Sequence, residues 1–499
     1  MAQAATLADV LSLCADVEAV VPAADPARLT IAAVSDDSRA IAPGALFIAV
    51  AGAASDGHSY ITAAIEAGAV AVLCERGPAG STATPPVYRV GELAQLRSAI
   101  AELVYGNPSG VLKMIGITGT NGKTSTAHFA AQLGNAVGLP TGYVGTIGSG
   151  IPPRLDHTEH TTPSATRMPA LLRELIDGGA SVAALEVSSH ALDQGRVDAV
   201  EFDVAVLTNL SRDHLDYHGT EANYEAAKRR LFEHPKLRYR VLNQDDPVGQ
   251  RWLARFPSSL RSQTLGFGQT AAGASLRWTE LEFRSGGIAG YWHWQNERLP
   301  FELPLLGAFA VENVAAAMLA LKCLEPALEL RELVAAGRDL VGVPGRMETF
   351  GGNGRPMVIV DYAHTPDALE KALTAARRHA PGRLWAVFGC GGDRDQGKRP
   401  QMGAVAASLA DAVVVTSDNP RSEVPEAIIA EIVPALAGHG DWRQQVDRAQ
   451  AIRTTLDAAA PEDVVLVAGK GHEDYQEING QRLAFDDRAV VRDWLGGNG

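Results

Sequence analysis

The sequence predicts an α/β protein in three domains, and three observations carry that prediction. An apolar run (Val111, Leu112, Met114, Ile115) leads into the glycine-rich stretch Gly116–Thr124, and a helix-competent segment, Ser125–Gln132, follows it. The region around this stretch alternates strand and helix signals, the mark of a mostly parallel sheet with helices on its faces. Beyond residue 343, four apolar strands separated by helical segments each run into a polar cluster, the pattern of a doubly wound sheet. The expected organisation is a small N-terminal α/β domain (1–93), a central phosphate-loop ATPase-like domain with a mostly parallel sheet (94–342), and a C-terminal Rossmann-like domain (343–499).

Composition sets outer bounds. A chain of 499 residues, 46% hydrophobic and 20% charged, can bury several sizeable cores. No apolar run approaches the ~20 residues that span a bilayer. Met1–Asp9 lacks the basic and apolar regions of a secretory leader, so a cytoplasmic location is expected. Cys14, Cys74, Cys323 and Cys390 lie far apart in no metal-like spacing and fit reduced thiols. A formal charge of −14 argues against a nucleic-acid or membrane-surface protein, while local Arg and Lys can still hold a small anion.

In the first domain, Leu46–Val50 and Ala69–Leu73 read as strands with the helix Tyr60–Ala67 between them. Asp37-Ser38-Arg39 reads as a polar loop, with a Ser-Arg pair able to meet an anionic head group. A helix and the linker Gly106–Gly110 lead into the glycine-rich stretch. Strand, glycine-rich turn and helix make a phosphate loop: backbone N–H groups turn onto phosphate oxygens, Lys123 adds a point charge, and the Thr124 hydroxyl can hold Mg²⁺. The usual pattern places a glycine at 117. Here Ile117 stands there and Gly116 is read as the displaced loop glycine.

Val182–Val187 is an apolar strand carrying Glu186, a carboxylate that demands a partner or a metal. Val204–Leu207 ends in a polar run, Thr208–Asp216, which includes His214 and suggests a ligand crevice. Tyr224–Lys228 opens a helix on which Lys228, taken alone, reads as a solvated surface lysine. Residues 240–300 read as β-rich, with Trp252, Trp278, Trp292 and Trp294 packing. Asn313 stands before the Ala-rich helix Val314–Cys323, as a helix cap or a base contact. The last strands, Met357–Val360, Leu384–Phe388, Ala412–Thr416 and Val464–Ala468, end in Asp361–Asp367, Gly389–Asp395, Ser417–Arg421 and Gly469–Glu473. Four such clusters on one sheet edge read as a site, and no Gly-x-Gly-x-x-Gly follows any strand to support a dinucleotide.

Taken together, Gly119–Thr124, Glu186–His190, Asn209–His214, Tyr224–Lys228, Gly345–Glu348, Asp361–Asp367 and Gly469–Glu473 resemble, in order, the motifs of the Mur ligases of peptidoglycan synthesis. Asp418-Asn419-Pro420-Arg421 is similar to the motif of members that add meso-2,6-diaminopimelate. The resemblance implies an ATP-dependent amide ligase that activates the D-Glu carboxylate of UDP-MurNAc-L-Ala-D-Glu as an acyl phosphate, which the amine of diaminopimelate then attacks. By resemblance, Gly119, Thr120, Asn121, Gly122, Lys123 and Thr124, with Asn313, Arg346, Asp361 and His364, would contact ATP. Thr124 and Glu186 would hold one Mg²⁺, and His214 and a carbamoylated Lys228 would attend a second, which reverses the surface reading of that lysine. Catalysis would rest on Lys123, Glu186, His214 and Lys228. Ser38, Thr161, Thr162, Ser188, Gln194 and Arg196 would bind the UDP-linked substrate. Arg394, Asp418, Asn419, Pro420, Arg421, Gly469 and Glu473 would bind diaminopimelate, whose extra carboxylate suits a guanidinium fork. A monomer with no nucleic-acid partner is expected. Two positions depart from the family pattern: Ala310 where Asn is usual after Phe309, and Ala45 where Asp is usual. Other amide ligases of the superfamily and a non-catalytic ATP-driven switch are the alternatives, and neither needs the Asp418–Arg421 motif.

Overall fold

The computed structural model describes residues 4–52, 55–76, 85–259, 262–271, 273–284, 286–352 and 354–496. The chain divides into two compact units, Met1–Ser275 with Ala315–Leu330, and Leu276–Val314 with Arg331–Gly499.

The first unit holds two sheets. The N-terminal one is built from β1 (Val17–Val21), β2 (Ala33–Ser35), β3 (Ala45–Ala49), β4 (Ala71–Cys74) and β5 (Val87–Val90), in the order β1-β5-β4-β3-β2. All pairings are parallel except β1 with β5. Successive side chains point to opposite faces. Leu46, Ile48 and Leu73 therefore pack with Ile100 and Ala101 of the helix Leu93–Val104, while Phe47, Ala49 and Val72 pack with Ile61 and Ala64 of the helix Ile61–Glu66. Burial on both faces explains strands that are apolar throughout. Ala45, the residue that departs from the family pattern, is one of these fully buried positions.

The second sheet of this unit comprises β6 (Lys113–Thr118), β7 (Thr141–Gly145), β8 (Gly148–Gly150), β9 (Val182–Glu186), β10 (Val204–Leu207), β11 (Tyr239–Asn243) and β12 (Gln263–Gly268). Here they run β12-β11-β10-β6-β9-β7-β8, parallel except for the β7–β8 hairpin. The strand β6 lies between β9 and β10, so the ends of all three open on one crevice.

Gly116 corrects the reading of the phosphate loop. It lies inside β6, not in the loop, and a Cβ there would stand 2.8 Å from two ring carbons of Phe202. It is glycine because an aromatic ring packs on the strand, and the loop proper starts after Thr118. A second correction concerns residues 240–300: Trp252 is on a helix, Pro247–Arg255, whose apolar face meets Phe232.

The second unit opens with an antiparallel meander, β13 (Leu276–Arg284), β14 (Gly287–Trp294) and β15 (Glu297–Leu303). Trp292 stacks on Phe301 at 4.5 Å and meets Trp278 edge-on at 5.9 Å, while Trp294 is only half-buried. The doubly wound sheet follows: β16 (Glu348–Gly351), β17 (Met357–Asp361), β18 (Leu384–Phe388), β19 (Ala412–Val415), β20 (Trp442–Gln444) and β21 (Val464–Ala468), ordered β16-β17-β21-β18-β19-β20. The four expected strands are parallel neighbours, so their polar ends do share one edge. The sequence reading lacked the short edge strands β16 and β20 and the hairpin of β22 (Tyr475–Ile478) with β23 (Gln481–Ala484). Helices cover both faces, with Ile359, Ala386 and Leu466 inward on one and Val360, Val387 and Val467 on the other. No helix among the described residues is long and apolar enough to cross a membrane.

Candidate functional site

The helix Lys123–Ala136 starts from Gly122, which has a left-handed φ of 84°, as the turn from strand to helix requires. The loop is latched by the segment that leaves β10. Thr120 N–H donates to the Asn209 carbonyl (2.9 Å), Asn121 N–H to Asn209 Oδ1 (3.0 Å), and the Thr208 hydroxyl to the Asn121 carbonyl (2.6 Å). Lys123 Nζ folds over the loop onto the carbonyls of Gly119 (3.0 Å) and Thr120 (2.9 Å). Thr208 and Asn209 were not singled out for this role, because nothing local in the sequence says that a segment 87 residues on is the loop's partner.

Glu186 ends β9 fully buried, and its carboxylate is met by hydroxyl and backbone donors. It accepts from Thr124 Oγ1 (2.8 Å), the Tyr143 hydroxyl, Thr146 N–H (2.8 Å) and Thr146 Oγ1 (3.2 Å). Thr124 and Glu186 are thus adjacent oxygen donors at a phosphate loop, a chemistry that fits a hard divalent cation. Tyr143 and Thr146 aim the carboxylate. Among the described residues no three His, Cys, Asp or Glu side chains gather as a metal cage.

Lys228 is not a surface lysine. It is 1% exposed on the helix Glu221–Arg229, and its Nζ donates to the Gly119 carbonyl (2.8 Å) and lies 4.7 Å from the centre of the Tyr224 ring. Burial, with the nearby Lys123 charge, holds its pKa well below the ordinary lysine value. His214, half-exposed and at φ 51°, stands edge-on to His190 with ring centres 4.8 Å apart. A cavity of about 270 Å³ gathers Lys123, Thr161, Thr162, Ser188, Arg196, His214 and Lys228, together with His160, Ser189 and His190, which the sequence reading did not assign.

Arg196 donates to the Thr162 carbonyl (2.9 Å) and to Gln194 Oε1 (2.7 Å), and Thr162 Oγ1 donates to the Glu186 carbonyl (2.8 Å) and Ser188 Oγ (3.3 Å), so Thr162, Ser188, Gln194 and Arg196 of the set expected to bind the UDP-linked substrate share one network. Ser38 does not line this cavity. It sits on the turn Ser38–Ala40 just past β2. The preceding Asp36 ties that turn to Arg97 (3.0 Å) and Thr166 Oγ1 (2.6 Å).

In the second unit Asp361 ends β17 and accepts from the N–H groups of Met347 (2.8 Å) and Ala363 (2.9 Å). Burial raises its pKa against the pull of Arg346. The Arg346 guanidinium lies over the Tyr362 ring at 4.5 Å, and His364 Nδ1 pairs with the Tyr362 carbonyl at 2.8 Å. Gly345 and Gly471 meet backbone to backbone: a Cβ on Gly345 would stand 2.1 Å from the Gly471 carbonyl carbon. Asn313 lies inside the helix Ala308–Leu324, so it does not cap it, and the adjacent departure Ala310 is buried in the same helix.

The ends of β19 and β21 bring Asp418, Asn419 and Glu473 together around Lys470. Asn419 Nδ2 donates to Glu473 Oε2 (2.9 Å), while buried Asp418 Oδ1 has no hydrogen-bond partner. Gly469 has φ 123°, and a Cβ there would stand 3.0 Å from Asp418 Oδ2. Pro420 sets the following turn, where Arg421, at φ 51°, donates to the Gly392 carbonyl (2.8 Å) and pairs with Glu477 at 3.3 Å. Arg394 is exposed. Buried Arg448 supports these turns from below. It forms a two-pronged pair with Asp487 (2.7 Å each) and donates to the carbonyls of Ser417 (3.2 Å) and Ala468 (3.0 Å).

A latched phosphate loop beside a buried carboxylate, and a doubly wound sheet with polar strand ends, define a phosphate-loop α/β protein built to handle a nucleotide and a second, charged ligand. Family models for the Mur ligase catalytic domain, the Mur ligase middle domain and the Mur ligase glutamate ligase domain match residues 30–103, 117–321 and 345–471. The chain belongs to the Mur ligase family. It is 47% identical over 460 residues to the UDP-N-acetylmuramoyl-L-alanyl-D-glutamate--2,6-diaminopimelate ligase of Pseudomonas putida, covering 90% of this chain and 92% of that one. The same identity holds over 459 residues to the enzyme of that name from Xanthomonas campestris pv. campestris, covering 91% and 92%. A solved structure of a ligase with that name aligns over 99% of each chain at 35% identity with a TM-score of 0.72. The MurF ligase from Thermotoga maritima, solved with ADP, shares the fold at 20% identity and a TM-score of 0.66 over 88% of this chain and 94% of that one.

Proposed function

We propose that the chain is an ATP-dependent ligase that joins meso-2,6-diaminopimelate to the D-Glu carboxylate of UDP-MurNAc-L-Ala-D-Glu in the making of peptidoglycan precursors. The observation that carries the reading is the Asp418–Arg421 and Gly469–Glu473 cluster, in a chain 47% identical to ligases named for that reaction. Two acidic side chains with acceptor capacity to spare suit an ammonium, and Arg421 and Arg394 suit a carboxylate. Lysine lacks the second carboxylate at its far end and would leave a guanidinium unmatched.

In this reading 1–93 binds the UDP end through Ser38 and its neighbours, 94–342 binds ATP, and 343–499 binds the amino acid. Thr161, Thr162, Ser188, Gln194 and Arg196 hold the muramoyl-dipeptide. The loop Gly119–Thr124 cradles the phosphates, and Lys123, drawn off the Gly119 and Thr120 carbonyls, offsets charge on the transferring group. Asn313, Arg346, Asp361 and His364 face the nucleotide. Thr124 and Glu186 would hold one Mg²⁺, and His214 and Lys228 a second. Such an ion would supply charge neutralisation at phosphoryl oxygens. The D-Glu carboxylate attacks the γ-phosphorus and ADP leaves. The neutral amine then attacks the acyl carbon, the C–O bond to phosphate breaks, and the nitrogen gives up a proton to leave the amide. Lys228 is suited to carbamoylation because desolvation favours its neutral amine: the lone pair adds to CO₂, a proton departs, and the product is an anionic oxygen ligand. UDP-linked and amino-acid substrates suit a cytoplasmic enzyme, and we read it as a monomer.

The test is phosphate release. It should require UDP-MurNAc-L-Ala-D-Glu and diaminopimelate together, and lysine at the same concentration should support little. Release indifferent to both substrates would point to a nucleotide-driven switch instead.

A further inference from the structure

Lys470 has no part in the function proposed above, yet its position is unusual. Its side chain is fully buried, at the turn after β21, with Nζ donating to Asn419 Oδ1 (2.8 Å) and to the Tyr475 carbonyl (2.7 Å). The same ammonium is 3.5 Å from Glu473 Oε2 and 3.6 Å from Asp418 Oδ1. A lysine is rarely buried completely unless several acceptors hold it.

The geometry fixes more than charge. Asn419 Oδ1 receives two donors, the Lys470 ammonium and the Glu477 N–H (2.9 Å). A flipped amide would turn its NH₂ onto both of them, so the oxygen must face Lys470 and the Nδ2 must face Glu473, to which it donates at 2.9 Å. Glu473 is thereby held by one oxygen. Asp418 Oδ1, buried and without a hydrogen-bond partner among the described residues, meets the ammonium at 3.6 Å. One ammonium thus stands against two carboxyl groups, and acceptor positions on both acids stay open.

We propose that Lys470 is a positioning residue for the amino-acid substrate: it orients the Asn419 amide and, lying between Asp418 and Glu473, holds the two carboxylates at one point as an acceptor set for the substrate's ammonium. This rests on the ligase reading given above. Without the lysine, the two carboxylates lose the cation that lies 3.5 and 3.6 Å from them, and Asn419 Oδ1 keeps only the Glu477 N–H of its two donors.

The experiment compares the wild-type enzyme with Lys470→Met, which keeps the length and removes the charge, and Lys470→Gln, which keeps a donor. Initial rates are measured with ATP, UDP-MurNAc-L-Ala-D-Glu and diaminopimelate varied in turn, alongside the melting temperature. Lys470→Met should raise the KM for diaminopimelate roughly tenfold or more, with the other two KM values within about twofold and kcat falling less than KM rises. Lys470→Gln should fall between. An unchanged KM for diaminopimelate, a parallel rise in all three, or failure of both variants to fold overturns the proposal and leaves Lys470 a packing element. A wild-type enzyme that does not use diaminopimelate overturns the ligase reading itself, so the two failures are told apart by the control.

Discussion

Arg448 offers a direct measure of how the floor of the amino-acid pocket is held. Arg448→Met removes both prongs to Asp487, each at 2.7 Å, and leaves that carboxylate at 0% exposure without its paired guanidinium. Breaking a buried pair from one side typically costs about 3–5 kcal/mol. The carbonyls of Ser417 and Ala468 also lose a donor, at about 1 kcal/mol each. Asp487 opens the helix Asp487–Leu495, whose N-terminus returns a small share, about 0.3–1 kcal/mol. The expected net is about 5 kcal/mol, a loss of several thousandfold in the protection of local amides. Native-state hydrogen exchange on peptides covering β19 and β21 reads this without assuming that a chain of 499 residues unfolds in one step. Arg448→Met with Asp487→Leu should recover at least half of the loss, since no buried charge is then left unpaired. A single variant that loses less than about 1 kcal/mol, or a double variant as weak as the two singles added, would refute the reasoning.

Three further outcomes are expected. Lys228→Ala should be inactive and partly rescued by small carboxylates; full activity in a protein whose intact mass shows no carbamate would count against the modification. Arg421→Lys should raise the KM for diaminopimelate about tenfold or more while leaving that for ATP nearly unchanged, because a point charge cannot copy the guanidinium fork. Glu102, buried beside Ser109, has its pKa pushed up to about 7 by desolvation. Between about 4.5 and 7 the folded state keeps a proton that the unfolded state has lost, so this group's contribution to stability falls as pH rises through that window. Glu102→Gln should therefore raise the melting temperature relative to wild type at pH 8 and change it little at pH 5; an equal effect at both would exclude the titration.

Much of the fold was legible because strands covered on both faces must be apolar along their whole length. Val204–Leu207, Leu384–Phe388 and Val464–Ala468 were read with the bounds the structure has. Short edge strands such as β20, three residues long and half-exposed, carry no such signal. The phosphate loop was legible as chemistry, but Gly116 was not, because its reason is a ring 86 positions away. Lys228 shows the same limit: a lysine on a helix looks solvated until the tertiary structure places a loop carbonyl against it. Tyr143, Thr146, Arg448 and Lys470 act by aiming other side chains, and no local spacing betrays that work. Asn313 was legible as a notable residue and not as a helix-interior one, since the helix begins six residues earlier than its apolar run suggested.

The contact between Gly345 and Gly471 has a mechanical meaning. Two backbones that touch have no side chain between them to bend or change rotamer, and a packed interior is stiff. Arg346 follows one glycine directly, and His472 and Glu473 follow the other. A shift in the turn before β16 is therefore handed on to the turn after β21 at nearly full amplitude. The two turns behave as one rigid hinge plate, so anything that seats Arg346 also sets the height of Glu473.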